Sequence, residues 1–495
     1  MTIRAQILRL EAAMALLRDA DPADLSPLRD AAESLWASRR SRPTFSARLP
    51  PGGGWSPPRV SRPAAAVAEQ LVAAFDGVAL NPSAPRHFGW VPGGGTAAAA
   101  LGDYFAALSN AYAGYRVPSP AAVEIELSLL HWMTQLLGLP ETTAGDLCAG
   151  GSPANAVALH AASPRVSRAL AGERSDLAVL PHDLDAIVYV SEERHRCIDK
   201  ALRFIGHGGR LHTVAGDAAG RMDPDALAAR IRQDTRSGAG WPWLVVASAG
   251  TTSTGLVDPL RPIAAVCAEA GLWLHVDAAY GGFFALAASG RGRLDGIELA
   301  DSVVLDPHKG LFQPYGLGVA LIRDGRRLYA AHATEQAYIR EPGAIGVGIE
   351  QLMGDGSAMF RSPELSRPFR ALRLWVSLQV HGSDAFAAAL EHRLLLARHA
   401  WRRLSALSGV EVLEAPDLSI VPFRLSAPEG AGGDVQERAV QALRQDHDVF
   451  VTSTVVRGQA WLRLAILTLQ TTLADVDAAV DAVARVAADG ASTAP

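Results

Sequence analysis

The chain has 495 residues, enough for roughly three domain-sized units of about 150 residues each. Hydrophobic residues make up 49% and charged residues 20%, which excludes global disorder and leaves ample material for a core. Lys and Arg number 46 against 51 Asp and Glu, so a net charge of −5 offers no basic balance for a nucleic-acid partner.

Ile3, Ile7, Leu10, Met14 and Leu17 recur at helical spacing and predict an opening amphipathic helix. Arg4, Arg9, Glu11, Arg18 and Asp19 interrupt any apolar core of a secretion signal there. No apolar run along the chain reaches the ~18 residues of a membrane span. The expected compartment is a reducing cytoplasm, and Cys148, Cys197 and Cys267 are too few and too scattered for a disulfide framework or a zinc ribbon. A Pro/Gly/Arg-rich stretch from Arg42 to Pro63 reads as irregular chain wrapping a surface. A second helix spans Ala64 to Phe75, and a loop runs on to about Pro92.

From about residue 93 to 325, helices alternate with short Val/Ile/Leu-rich runs: Ile187–Val190, Leu211–Val214, Leu244–Ala247, Leu272–Val276, Val303–Leu305 and Val319–Ile322. Such short continuous runs are how buried, mainly parallel strands read. Asp223-Pro224 and Asp258-Pro259 each place an N-cap before a proline at the first helical position. From about Arg367, long helices mix with apolar runs near Val410 and Val449. The expected layout is an N-terminal helical and extended segment (1–92), a large α/β domain (93–366) and a smaller C-terminal α/β domain (367–495).

Three segments carry chemistry. Asp306-Pro307-His308-Lys309 follows a strand, and ligands of open α/β sheets bind at the carboxyl ends of strands. Asp277 stands at the exit of another buried strand, where a carboxylate is costly without a cationic partner. Its other reading is a helix cap or a salt bridge. Asp277 and Lys309 are separated by enough chain for one helical crossover, so both can face one cleft. Gly150-Gly151-Ser152, followed by a helical pattern, exposes backbone N–H groups and a hydroxyl to an anion. An anion site, a carboxylate for a ring nitrogen and a lysine for an aldehyde are the three handles of pyridoxal phosphate. His195, just past a strand, can stack on its ring, and the Gly250-Thr251-Thr252 turn ends at the same sheet edge. His195, His207 and His275 lack metal-ligand spacing, and no metal is expected.

These motifs together resemble the group II pyridoxal-phosphate-dependent amino-acid decarboxylases, in order from about Pro85 to Val480. The matching segments are Gly150-Gly151-Ser152 with Asn155, Ser191 with His195 and Lys200, Gly250-Thr251-Thr252, Asp277-Ala278-Ala279 and Asp306-Pro307-His308-Lys309. The resemblance implies the aspartate-aminotransferase type of fold (fold type I), with a mainly parallel seven-stranded sheet and a smaller C-terminal domain. It implies covalent attachment of the cofactor to Lys309, with Asp277 on the pyridine nitrogen, and His195 and Ala279 on the two ring faces. It puts Gly151, Ser152 and Asp306 at the phosphate, and Thr252 and His308 beside the cofactor. Tyr338, in a glycine-bearing loop from about His332 to Gly356, is the implied proton donor. It further implies a homodimer with the site at the subunit interface.

The expected reaction is decarboxylation of an L-amino acid to its amine and carbon dioxide. Trp90, Val91 and Tyr112 match the pocket wall of the aromatic decarboxylases, so an aromatic or bulky apolar side chain is expected. The same anchors also serve aldehyde synthases, other lyases and aminotransferases, and an acidic substrate stays open. Two departures stand out: Pro153 replaces the usual Glu, and Gly310 replaces a bulky residue after the lysine. Both are expected to reshape the site.

Overall fold

A computed structural model describes Ala5 and residues 25–46, 56–76, 79–91, 94–173, 177–238, 240–333, 348–426 and 432–492. The expected helix around Ile3–Leu17 lies outside the described residues, as does Tyr338.

Seven strands form the central sheet: β1 (Ala144–Cys148), β2 (Ala186–Ser191), β3 (Leu211–Val214), β4 (Trp241–Ser248), β5 (Trp273–Asp277), β6 (Ser302–Leu305) and β7 (Gly318–Ile322). Their order across the sheet is β1-β7-β6-β5-β4-β2-β3, and only β7 runs antiparallel to its neighbours. Alternate residues serve opposite faces. Val245, Ala247, Leu274, Val276, Val303 and Leu305 enter the larger core. Leu244, Val246, Val304 and Ala320 enter the cores on the opposite face. Burial on both faces is why these strands read as continuous apolar runs.

The edge strand β1 is the one that the apolar-run criterion misses, because Gly145 and Asp146 interrupt it. Asp146 is buried without loss of its charge partners. Arg367 reaches it at 2.8 Å and Glu126 at 3.3 Å, and Arg361 reaches Glu126 at 3.0 Å and Asp146 at 3.7 Å. All four side chains are at most 2% exposed. The two guanidinium groups also bond the β1 carbonyls of Gly145 and Leu147.

Asp223 caps its helix as expected, accepting from the N–H groups of Asp225 and Ala226. Asp258 does not. The helix Leu260–Ala270 starts after Pro259, and the buried Asp258 carboxylate instead accepts from the N–H groups of Met222 (2.8 Å) and Ser248 (2.7 Å). It ties two chain segments where β4 ends, and burial raises its pKa to about 6.

A second, antiparallel sheet comprises β8 (Val410–Val412), β9 (Ile420–Leu425), β10 (Thr452–Val456) and β11 (Gln459–Ala465), in the order β8-β9-β11-β10. The helices Ser383–Ser405 and Leu473–Ser492 pack against it. Phe88 belongs to this core: its N–H donates to Phe450, and its carbonyl accepts from Ala465. The chain around Phe88 is thus built into the C-terminal sheet.

Removing one member of the buried four-charge cluster leaves an unpaired charge in the core. Arg367→Ala is expected to destabilise the protein by about 3–5 kcal/mol, read as a lower denaturant midpoint. A shift under about 1 kcal/mol would mean that water reaches the cluster.

Candidate active site

Strands β1, β2, β4, β5 and β6 end along one edge of the central sheet, and the chain that follows each contributes to one cavity of about 440 Å³. Ala149 to Pro153 follow β1, and His195 and Cys197 follow β2. Gly250 to Thr252 follow β4, Ala279 and Tyr280 follow β5, and Asp306, His308 and Lys309 follow β6. Asp277 is itself the last residue of β5. Sheet topology alone therefore gathers the residues that the sequence motifs single out.

At one end, the helix Gly151–Ala162 begins on Gly150, whose φ of 132° suits a residue without a side chain. The first turn leaves the N–H groups of Gly151 and Ser152 without partners inside the helix. Pro153 has no N–H, so the cradle offers two backbone donors and the Ser152 hydroxyl. A Cβ on Gly151 would lie 2.7 Å from Asp306 Oδ2 and 3.3 Å from the Ala279 Cβ, so only glycine keeps this space open.

Lys309 Nζ lies 2.9 Å from Asp306 Oδ2. Burial pushes the Lys309 amine down, but the Asp306 and Asp277 carboxylates outweigh it, and its pKa is raised. Asp306 Oδ1 is buried without a hydrogen-bond partner. A carboxylate only accepts, so the geometry gives Asp306 a lysine-holding contact, not a donor for phosphate.

His195 lines the cavity. Its Nδ1 accepts from the Cys197 N–H at 3.2 Å, which leaves the ring proton on Nε2. Burial lowers its pKa, against the Asp277 carboxylate. His308 donates from Nδ1 to the Leu317 carbonyl at 2.5 Å, and burial lowers its pKa too. Both rings are therefore held in defined neutral forms. Thr252 lines the cavity, whereas the Thr251 hydroxyl is used inside the turn, 2.6 Å from that of Thr254.

Several expected residues lie elsewhere in the single chain. Trp90 is 48% exposed and sits edge-on to Phe450 and His87. Val91 packs against the larger core, and the Tyr112 hydroxyl donates to the Leu365 carbonyl at 3.0 Å. None of the three is among the cavity-lining residues. Gly310 does not reshape the cavity either. Its Cβ position is 2.7 Å from the Phe283 Cβ, and Phe283 is fully buried. The sequence reading missed Tyr315 and Gly316, which line the cavity from the loop before β7, and Cys197. No motif marked them, since they follow from how that loop and the turn after His195 fold back.

These features fit pyridoxal phosphate: a donor cradle that a Cβ would fill, a lysine in the cavity and a carboxylate at a strand end. Among the described residues, no group of three or more His, Cys, Asp or Glu could hold a metal ion.

Comparison with known proteins agrees. Residues 77–426 match the model described as the pyridoxal-dependent decarboxylase conserved domain. The chain is 32% identical over 394 residues to an aromatic-L-amino-acid decarboxylase of Bacillus atrophaeus, covering 78% of each chain. It is 31% identical over 372 residues to an L-2,4-diaminobutyrate decarboxylase of Rhizobium meliloti, covering 74% of this chain and 71% of the relative. Its fold matches the crystal structure of Oryza sativa TDC with PLP and tryptamine at a TM-score of 0.84 and 26% identity, covering 95% of this chain and 99% of that one.

His275, fully buried on β5 behind Asp277, has its pKa lowered to about 4 by burial. The unfolded chain takes up a proton near pH 6.5 and the folded one near pH 4. Its contribution is therefore intact above pH 6.5 and is lost as pH falls through that window. Over this range, His275 alone is expected to cost about 3 kcal/mol. Denaturation midpoints measured from pH 7 to pH 4 should fall accordingly, and a flat profile would contradict the burial of a neutral ring.

Proposed function

The chain belongs to the pyridoxal-dependent decarboxylase family and removes the carboxylate of an amino acid with pyridoxal phosphate, and we propose that its substrate carries an aromatic or bulky apolar side chain. One observation carries this choice. Lys309 is the single Lys or Arg among the described residues that line the cavity, so a side-chain carboxylate would find no free cation there. Tyr315 offers an aromatic surface instead.

Bound pyridoxal phosphate supplies an aldehyde that captures amines and a protonated ring that accepts the electron pair left by the departing carboxylate. The protein's own residues do the rest. The Gly151 and Ser152 donors hold the phosphate, with the helix start favouring its charge. Asp277 keeps the ring nitrogen protonated. His195 and Ala279 would hold the ring from its two faces, with Thr252 and His308 beside it. Lys309 carries the cofactor between turnovers, and Asp306 orients its amine. Tyr338 supplies the proton to Cα, which gives an amine as product.

The working unit is proposed to be a homodimer. Leu101, Tyr104, Phe105 and Leu108 follow helical spacing on the helix Ala97–Ser109 and are each at least 56% exposed. Isolated monomers rarely leave such a stripe uncovered. The helix begins beside the cavity loop, where the Thr96 N–H donates to the Phe312 carbonyl at 3.1 Å. A second copy seated there brings new side chains towards the cavity, and Trp90, Val91 and Tyr112 are proposed to wall the substrate in that assembly. The three free, buried cysteines suit a reducing cytoplasm. Among the described residues, no helix is long and apolar enough to cross a membrane.

Carbon dioxide and amine quantified in parallel over a panel of amino acids test the substrate class. Aromatic substrates should give both in equal amounts, whereas preferred turnover of glutamate or aspartate would overturn the choice. Lys309→Ala should lose nearly all turnover. Asp277→Asn should keep the fold but lose most activity, and activity within a few-fold of the parent would remove Asp277 from its role. Phe105→Asp with Leu108→Asp should give a monomer by light scattering. A dimer unchanged by both would put the interface elsewhere.

A further inference from the structure

Behind Asp277 lies a row of buried polar side chains that the reading above leaves unused. Its hydrogen-bond directions follow from the groups themselves. The Trp273 indole can only donate, and it donates to Ser302 Oγ at 2.9 Å. Asn155 turns its amide nitrogen to the Gly151 carbonyl (2.9 Å), because that carbonyl can only accept. Its oxygen therefore faces His275 Nε2 at 2.7 Å, and Nε2 must carry the proton. The neutral ring then leaves Nδ1 as an acceptor, so the Ser302 hydroxyl, 2.8 Å away, donates to it. The Asn155 amide nitrogen also donates to Cys197 Sγ at 3.4 Å. Cys197 Sγ in turn faces Asp277 Oδ2 at 4.0 Å, while Asp277 Oδ1 accepts from the Ala279 N–H at 3.2 Å. Along the row Trp273, Ser302, His275, Asn155 and Cys197 each bond points towards the carboxylate, and only the Asn155 bond to the Gly151 carbonyl branches off it.

We propose that Ser302, His275, Asn155 and Cys197 form a one-way hydrogen-bond chain that positions Asp277 and holds it ionised, with Cys197 as the last donor. The proposal rests on the reading of Asp277 as partner of the ring nitrogen. Donors to a carboxylate favour its charged form. A chain ending in a donor therefore keeps the shared proton on the ring nitrogen and off Asp277. Two features support this direction. Burial and the Asp277 carboxylate push the Cys197 thiol up to about 12, so it stays a protonated donor. His275 stays neutral, as the chain requires. The links also join the Gly151 carbonyl, and hence the anion cradle, to strand β5, so the two ends of the cofactor site share one support.

Cys197→Ser keeps a donor and Cys197→Ala removes it, with little change of volume. In the holoenzyme, Cys197→Ala is expected to lower kcat about five- to tenfold, the worth of one net hydrogen bond, at unchanged KM. The pH at which the bound cofactor's visible absorbance titrates should move with it. Cys197→Ser should restore both. Asn155→Ala should shift the same absorbance titration, and adding Cys197→Ala to it should change little further, as expected for members of one chain. In the cofactor-free protein, nitrogen-15 resonances of His275 should report the Nε2–H form at neutral pH. Equal behaviour of the Ser and Ala variants, additive effects of the pair, or a His275 proton on Nδ1 would each overturn the proposal. Failure of the Asp277 reading shows separately, as an active Asp277→Asn variant.

Discussion

The donor cradle of Gly151 and Ser152 hangs from an edge strand of the sheet. Strand β1 has one hydrogen-bonded neighbour, β7, yet Gly151 and Ser152, the residues proposed for the phosphate, follow directly from it. What fixes β1 on its open side is the buried cluster of Arg361, Arg367, Glu126 and Asp146. Two guanidinium groups bind both the acidic side chains and the strand's own carbonyls, taking the place of a missing strand. Such a cluster gains little net stability over a well-packed apolar core. Its value here is geometric. An apolar edge can slide in register, whereas forked donors fixed on Gly145 and Leu147 cannot, and the position of Gly150 and Gly151 depends on that register.

The same logic of directed polar groups runs through the site. Burial lowers the pKa of His195, His275 and His308, and each ring meets its neighbours as a neutral group with a defined tautomer. The one cavity lysine, Lys309, is paired with Asp306 at 2.9 Å, and Asp277 stands at the end of β5. A ring cofactor with an anionic tail suits a cavity that offers backbone donors at the start of the helix Gly151–Ala162, a carboxylate and an amine. Contacts to the C-terminal sheet hold the arrangement from outside. Tyr280, two residues beyond Ala278 along the same turn, shares its hydroxyl with the Ser419 hydroxyl (2.7 Å) and accepts from the Ser419 N–H (2.9 Å).

Much of this was legible in the sequence because the residues concerned are local to their elements. Six strands announced themselves as Val/Ile/Leu-rich runs, five of them because both faces are covered, while the edge strand β3 is only partly buried. Asp277, Lys309, His195 and Thr252 stood at or just past four of those strands, whereas Gly151 and Ser152 followed the strand that went unread, β1, and topology brought them all together. What stayed hidden depends on partners distant in sequence. Asp146 makes β1 look like a turn until Arg361 and Arg367, more than two hundred residues later, neutralise it. Asp258 carries a helix-cap signature with its proline, but two N–H groups from other segments capture its carboxylate first. Tyr315 reaches the cavity only because a loop folds back before β7. The expected pocket residues Trp90, Val91 and Tyr112 lie outside the lining of the single-chain cavity.

The two departures from the family pattern differ in kind, and the structure separates them. At Gly310 the space of a side chain is already taken by Phe283, which stacks on Trp132 with ring centres 6.5 Å apart. A Cβ after the lysine would lie 2.7 Å from the Phe283 Cβ, so a side chain there requires the backbone to shift, and Gly310 is not among the cavity-lining residues. Pro153 lies in the cavity wall itself. Its ring suits the first turn of a helix, where φ near −65° is already required. It also removes a carboxylate from beside an anion cradle and an N–H from the same turn. Losing the carboxylate favours an anion there, and losing the donor opposes it. The helix start is therefore stiffer and offers two backbone donors, Gly151 and Ser152, beside the Ser152 hydroxyl.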